Sequence, residues 1–349
     1  MKKMILLLLV CTLHLGSFAQ NNEVNYPVFD ELFKNTENYN GNVLIAVKGK
    51  TVFKKSYGFA NLELGVKNTA NTKFRVGSFT KQFTAMAILI LQEQGKLNVN
   101  DKISTYLTDL PEAWRALTIH DLLTHTSGLK HLAEHKDYSN MMLQHNGLMR
   151  TIELYKNEDL LSEPGEKFHY SGLGYLLLAS LIEETTNKSY GQFLKEAILD
   201  KVGMLQTGCD SPEKIIATRA SGYETDSTGI HNATYMYMPN KTGAGNMYTT
   251  VNDLAKWDRA LHNNTLISEE SKKLMFTPYK KNYGYGWFTT GTRVWHGGSA
   301  PGFFAYIDRY IDKDVLLIVF SNNITQSQQM LGMNFLKLAH KEFNLSPAK

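Results

Sequence analysis

The sequence predicts a mixed α/β (α+β) fold in which strands from both ends of the chain share one sheet and the middle supplies a helical lobe. Three observations carry this. Residues 43–47 and 51–57 are β-prone runs separated by Lys48-Gly49-Lys50, the pattern of a hairpin. Residues 303–310 and 315–320 flank Asp312-Lys313-Asp314 as a second hairpin near the other end. Between them residues 79–94 form a helical run that is apolar on nearly every side, through Phe83, Met86, Ile88, Leu89, Ile90 and Leu91, and Gly95 follows where a C-terminal cap belongs. A helix apolar all round is buried rather than amphipathic.

The remaining elements fit this frame. Residues 118–124 read as a short helix started by Thr118, and residues 170–186 as a longer one with Leu173, Leu176, Leu177, Ser180, Leu181 and Glu184 in register. Residues 328–343 place Met330, Met333, Phe335, Leu336 and Leu338 at helical spacing. Glycine- and serine-rich turns occur at Thr126-Ser127-Gly128 and Gly243-Ala244-Gly245. With no long linker or repeat, residues 20–349 are expected to be a single two-lobed domain. Its sheet lobe takes roughly residues 25–77 and 283–345, and its helical lobe roughly 78–282.

Residues 1–19 have the basic start, short apolar middle and small-residue end of a secretory signal, cleaved after Ala19, so an exported protein, periplasmic or secreted, is expected. The apolar stretch is shorter than the roughly 20 residues that span a bilayer, and no later segment offers a span. Val10 before Cys11 is a poor match to a lipoprotein cleavage site, so the mature chain keeps one cysteine, Cys209, and no internal disulfide. Lys2 and Lys3 supply two of the formal +4 charges and residues 1–19 hold no acid, which leaves +2 for the mature chain. That charge is too small and dispersed to suggest nucleic acid or a membrane surface as partner.

Gly77-Ser78-Phe79-Thr80-Lys81 puts a serine in the first turn of the buried helix and a lysine three residues on, so both side chains project from one face. A serine hydroxyl is a weak nucleophile until a base takes its proton, and a desolvated lysine can be that base. The helix start also aims free N–H groups at any oxyanion formed there. Ser-x-x-Lys spacing by itself is a weak signal, since Ser127 with Lys130 and Ser211 with Lys214 share it. The bland reading makes Ser78 an N-cap and Lys81 a surface residue. The apolar surroundings argue against it, because a lysine among buried positions needs a partner or a purpose.

The segment from Phe74 through Gly77-Ser78-Phe79-Thr80-Lys81 to Ala85 resembles the nucleophile segment of the serine β-lactamase family, in its class C and D-peptidase branch, which includes penicillin-binding proteins. Leu122-Leu123-Thr124-His125-Thr126-Ser127-Gly128-Leu129, Pro164-Gly165-Glu166-Lys167-Phe168-His169-Tyr170-Ser171, Gly243-Ala244-Gly245 and His296-Gly297-Gly298 are similar to later blocks of that branch, in the same order. The resemblance runs from about residue 42 to 320. It implies an antiparallel sheet flanked by helices beside an all-helical lobe, with the site in the cleft between them. It also implies roles: Ser78 as the acylated nucleophile, Lys81 tuning it, Tyr170 relaying the proton to the leaving group. His296, Gly297 and Gly298 would lie on the edge strand, with the Ser299 N–H joining that of Ser78 as the oxyanion hole. No cofactor or metal is implied. The expected partner is a small-molecule or peptide substrate, peptidoglycan-derived peptides included, and the sequence carries no signal for oligomeric state.

Two positions depart from the family pattern. Gly172 stands where the second motif, Tyr-x-Asn, has its amide, and His296 stands where true lactamases have a lysine, a histidine being only partly protonated near neutral pH. Both favour a D-amino-acid peptidase, carboxypeptidase or esterase over an efficient β-lactamase. They also leave room for a penicillin-binding or sensor-type protein that is acylated with little turnover. A literal Tyr138-Ser139-Asn140 lacks the Pro-Gly approach found before Tyr170 and reads as coincidence. His131-Leu132-Ala133-Glu134-His135 has the spacing of an inverted zinc-protease motif, with solvated histidines as the default. Trp257, Trp287 and Trp295 could line a cleft, though a buried aromatic is more often core.

Overall fold

The structure, a computed structural model, describes residues 26–34 and 39–345, so the expected export signal over residues 1–19 lies outside the described residues. Its principal strands are β1 (Gly41–Val47), β2 (Lys50–Tyr57), β3 (Phe288–Thr290), β4 (Arg293–Ala300), β5 (Phe303–Tyr310) and β6 (Val315–Ser321). Its principal helices are α1 (Pro27–Lys34), α2 (Lys81–Glu93), α3 (Ile119–Leu123), α4 (Gly172–Thr186), α5 (Val251–His262) and α6 (Gln326–Glu342).

The six strands form one sheet in the order β3-β4-β5-β6-β1-β2, with every neighbour antiparallel. Both expected hairpins are present, and β1 and β6 join them in the register Val43↔Val319 and Ile45↔Leu317. Lys48 and Gly49 take φ of 50° and 74°, the two positive values of a primed turn whose twist suits a two-residue hairpin. Lys50, expected in the turn, is therefore already in β2.

Strand alternation divides the core in two. Val43, Ile45, Leu317 and Val319 face a layer made by α1 and α6, where Phe29, Phe33, Leu331, Phe335, Leu336 and Ala339 are buried. Leu44, Ala46, Leu316, Ile318 and Phe320 point the other way, into the large core shared with α2, α4 and α5. Burial in α6 is shifted from the expected stripe. Met330 and Met333 are exposed, while Leu331 and Ala339 are buried with Phe335 and Leu336, because one face of the helix lies on the sheet.

In the middle of the chain α2 is buried from Lys81 to Leu91, as its apolar circumference requires. Its end is closed by paired bonds, Lys96 N–H to Leu91 O and Gly95 N–H to Gln92 O, the Schellman pattern. Thr118 caps α3 in a reciprocal box with Asp121. α4 begins at Gly172, capped by the Ser171 hydroxyl, so Tyr170 precedes the helix and lies in extended chain. Residues 78–282 also hold short strands. Met247–Thr249 pairs with both Phe74–Arg75 and Gly208–Cys209, while Tyr223–Asp226 pairs with Gly229–Asn232. α5 packs on the sheet, tied by the buried Arg309–Asp258 pair at 2.5 Å. No helix among the described residues is long and apolar enough to cross a membrane.

Phe335 is 0% exposed and Met330 56% exposed. Phe335→Ala is expected to cost about 3–5 kcal/mol and Met330→Ala within about 0.5 kcal/mol, read from urea unfolding. Equal losses would contradict the placement of α6 on the sheet.

Candidate active site

The nucleophile turn is built where a short strand becomes a helix. Phe74–Arg75 pairs with Met247–Thr249, the Val76 N–H bonds to Met247 O, and the Met247 N–H bonds to the Thr80 hydroxyl. Residues Gly77–Thr80 then make one tight 3-10 turn that runs into α2. This turn lies directly against β4. A Cβ on Gly298 would fall 1.9 Å from Val76 O, and one on Gly77 would fall 2.2 Å from Ser299 O. No other residue permits that approach at either position, so two glycines far apart in sequence let the sheet edge touch the helix start.

Ser78 is half-buried, and its Oγ is 3.2 Å from Nζ of Lys81. Lys81 is 1% exposed and has no carboxylate partner among the described residues. Its Nζ donates to Ala244 O at 2.8 Å and lies over the rings of Tyr170 (4.9 Å) and Tyr175 (5.4 Å). Burial holds its pKa well below the ordinary lysine value, and the charge of Lys241 pushes the same way. Burial drives the pKa of Tyr170 up, against an opposing pull from the Ser78 side chain, so it stands as a neutral phenol. Ser78 and Lys81 thus touch as their spacing suggested, and Tyr170, which only the resemblance placed with them, lies against the same amine.

His125 completes the group, and sequence analysis assigned it no role. It sits at φ 58°, 0% exposed, with Nδ1 accepting the Ser171 N–H at 3.1 Å. Its ring centroid is 4.2 Å from that of Tyr170 and 4.6 Å from that of Tyr283. Burial holds it neutral, so the proton is on Nε2, which has no hydrogen-bond partner among the described residues. The block containing His125 thereby fixes the peptide that follows Tyr170. Thr-His-Thr between helix and turn was the only sequence signal. Ala244 was likewise visible only as part of Gly-Ala-Gly, since nothing in a sequence says which carbonyl will orient an amine.

His296 corrects one expectation. The sequence reading took it as partly protonated near neutral pH, but it is 2% exposed and burial lowers its pKa to about 3. Its Nδ1–H donates to Gly297 O, and its Nε2 accepts from the Tyr283 hydroxyl at 3.1 Å. It is a neutral wall residue, not a cation. Ser299 is exposed at the same sheet edge, beside the Ser78 turn. At Gly172 a Cβ would meet Leu132 Cδ1 at 3.0 Å, so Leu132 occupies the space an asparagine would need.

Other candidates lie elsewhere or have local partners. Lys130 pairs with Glu158 and Ser211 with Glu213, which disposes of the competing Ser-x-x-Lys spacings. In the zinc-like pattern His131 and Glu134 cap a single 3-10 turn, while His135 turns away to Tyr155 and Glu158. Tyr138 begins another helix, its ring under Lys241. Trp257 and Trp287 are 0% exposed core residues, Trp287 edge-on to Phe276.

The beta-lactamase family profile matches residues 29–337. Penicillin-binding protein 4* of Bacillus subtilis is 32% identical over 340 residues, covering 87% of this chain and 72% of that protein. Teichoic acid D-alanine hydrolase of Staphylococcus aureus is 29% identical over 316 residues, covering 86% and 73%. Among solved structures, the octameric penicillin-binding protein homologue from Pyrococcus abyssi superposes with a TM-score of 0.76 at 27% identity, over 87% of this chain and 74% of that one.

The buried amine has a thermodynamic signature. Because its folded pKa lies below the unfolded value of 10.5, the unfolded chain binds more protons between the two, and stability rises with pH across that window. Lys81→Met removes this contribution. Over the pH unit just below the ordinary lysine value, wild-type stability is expected to rise by about 1 kcal/mol more than that of the variant. Parallel curves from urea titrations at two pH values would show that Lys81 is not held neutral.

Proposed function

Because this chain belongs to the beta-lactamase family of serine hydrolases, we propose that it transfers the acyl group of an amide or ester to Ser78 and then to water. The observation that carries this is the buried Lys81 amine 3.2 Å from the Ser78 hydroxyl. A neutral amine with one N–H on Ala244 O keeps its lone pair for the serine proton. Ser78 Oγ bonds to the substrate carbonyl carbon as its proton passes to Lys81. The carbonyl oxygen becomes an oxyanion, held by the N–H groups of Ser78 and Ser299 at the contact between turn and strand.

Tyr170, a neutral phenol whose ring lies 4.9 Å from Lys81 Nζ, passes on one proton as it receives another, so that the leaving amine or alcohol departs protonated. His125 and His296 keep this exchange dry and oriented. Water then attacks the Ser78 ester, the same groups take its proton, and Oγ recovers its own. The substrates that fit best are D-amino-acid peptides, with carboxypeptidase action included, and small esters. A relative named for removing D-alanine from teichoic acid supports that class. Gly298 and Gly172 shape the cleft by what they leave out. Efficient β-lactam hydrolysis is disfavoured, since a neutral His296 stands where true lactamases have a charged lysine. Export rests on the character of residues 1–19.

Gly172 favours a second reading, an acylated binder or sensor that turns over little. The amide that would steady Lys81 is absent, and a side chain at position 172 would press on Leu132. Intact-mass measurement after a chromogenic ester and after a labelled penicillin separates the two. Rapid ester turnover with no lasting adduct supports the hydrolase, whereas a persistent adduct on Ser78 without turnover supports the binder. Ser78→Ala should abolish both, and Tyr170→Phe should slow ester hydrolysis by about 10²–10⁴. Since protonated Lys81 has no lone pair, kcat/KM should rise with pH through the lowered pKa of Lys81 and level off before the ordinary lysine range. Activity that rose only above about pH 10 would exclude Lys81 as the base.

A further inference from the structure

The histidine in the usual cationic position is uncharged, yet a different cation stands at the cleft. Lys241 ends the 3-10 turn Met238–Lys241, two residues before the Gly243-Ala244-Gly245 segment that holds Lys81. Its stem runs over Gly245. A Cβ built on Gly245 would lie 3.5 Å from Lys241 Cδ and 3.5 Å from the carbonyl carbon of Gly77, so this one glycine separates the lysine from the nucleophile turn. The ammonium lies 5.6 Å from the Tyr138 ring centroid, and no carboxylate among the described residues pairs with it. Its charge acts on both Lys81 and His131, and the His131 ring stacks on Tyr170.

The neighbouring acid is already engaged. Glu134 accepts from the His131 N–H at 2.7 Å and bonds to His169 Nε2 at 2.9 Å. Lys241 is therefore a half-buried, aromatic-backed positive charge at the rim of a site whose inner groups are neutral. A single ammonium, without the fork of an arginine or a row of N–H groups, suits a singly charged carboxylate better than a phosphate.

We propose that Lys241 is a specificity residue that binds a carboxylate of the substrate while Ser78 attacks its ester or amide carbonyl. This rests on the acyl-transfer reading above and adds the charge of the preferred substrate. The cation has moved from the edge strand to the loop across the turn, which leaves His296 free to be buried.

Two substrate pairs test this. One places the charge on the acyl side, the mono-p-nitrophenyl ester of succinate against p-nitrophenyl butyrate. The other places it on the leaving group, 4-acetoxybenzoate against its methyl ester. In at least one pair the wild-type enzyme should favour the charged member by about tenfold in kcat/KM, less as salt is added. Lys241→Met should erase that preference, and Lys241→Arg should retain most of it. Absence of preference in both pairs, or a preference that survives Lys241→Met, overturns the proposal. Hydrolysis of the neutral esters by the wild type, abolished by Ser78→Ala, monitors the acyl-transfer reading separately. If neutral esters are turned over and no charge preference appears, the Lys241 assignment alone falls.

Discussion

An amine kept out of water beside a hydroxyl is the constraint around which the rest of this molecule is arranged. A lysine side chain in water is protonated and useless as a base at neutral pH, and it changes character only where solvation of the charge is withdrawn. Here that is done by seating Lys81 in the first turn of a helix buried on all sides, between two tyrosine rings, with a backbone carbonyl as its hydrogen-bond partner. A carboxylate in place of that carbonyl would restore the charge and defeat the purpose. The cost is carried by the large core, whose apolar residues extend from the inner sheet face through α2 and α4.

The sheet formed by both chain ends contributes precision more than chemistry. β4 is aligned through Gly298↔Ala305 and Ser299↔Phe304 to β5, and β5 in turn to β6 and β1, so the edge that meets the Ser78 turn is braced across the whole layer. The contact of Gly77 and Gly298 allows no slack, because a single methyl would overlap backbone atoms. Such an arrangement positions donors before substrate arrives and needs no reorganisation as charge develops. Rigid elements thus frame the site, and Tyr170, on the extended chain before α4, is fixed separately by His125.

What could be read from the sequence follows from how local each feature is. Hairpins, the buried helix, the Thr118 cap and the closeness of Ser78 to Lys81 depend on residues a few positions apart, and periodicity exposes them. His125, Ala244 and Lys241 depend on pairings across 46, 163 and 103 positions, with Ser171, Lys81 and Tyr138, which no spacing rule reaches. The state of His296 was misjudged for a related reason. The sequence offers only the ordinary protonation range of a histidine, whereas its neighbours in space are Tyr283, Phe288 and Tyr170, which exclude water. The offset of the α6 stripe arose because two methionines looked as apolar as the leucine beside them, and only the sheet decides which face is covered.

Electrostatically the cleft is divided into a neutral interior and a charged rim. Lys81, Tyr170, His125 and His296 are all driven by burial toward their uncharged forms. The three bases are also set against one another: a proton on Lys81 would disfavour one on His296 and on His125. Such a site can take a proton from serine only transiently, which suits a relay in which base and acid are one small network. Recognition of a charged substrate then has to come from outside it, where water screens the interaction and the interior stays dry. Lys241, half-buried over the Tyr138 ring, is the charge proposed for that task. Separating the two tasks explains how a histidine can stand at the edge strand without a loss of chemistry. The group that grips and the groups that move protons need not share a position, and a gripping cation does not disturb the amine, since the charge of Lys241 itself favours the neutral form of Lys81.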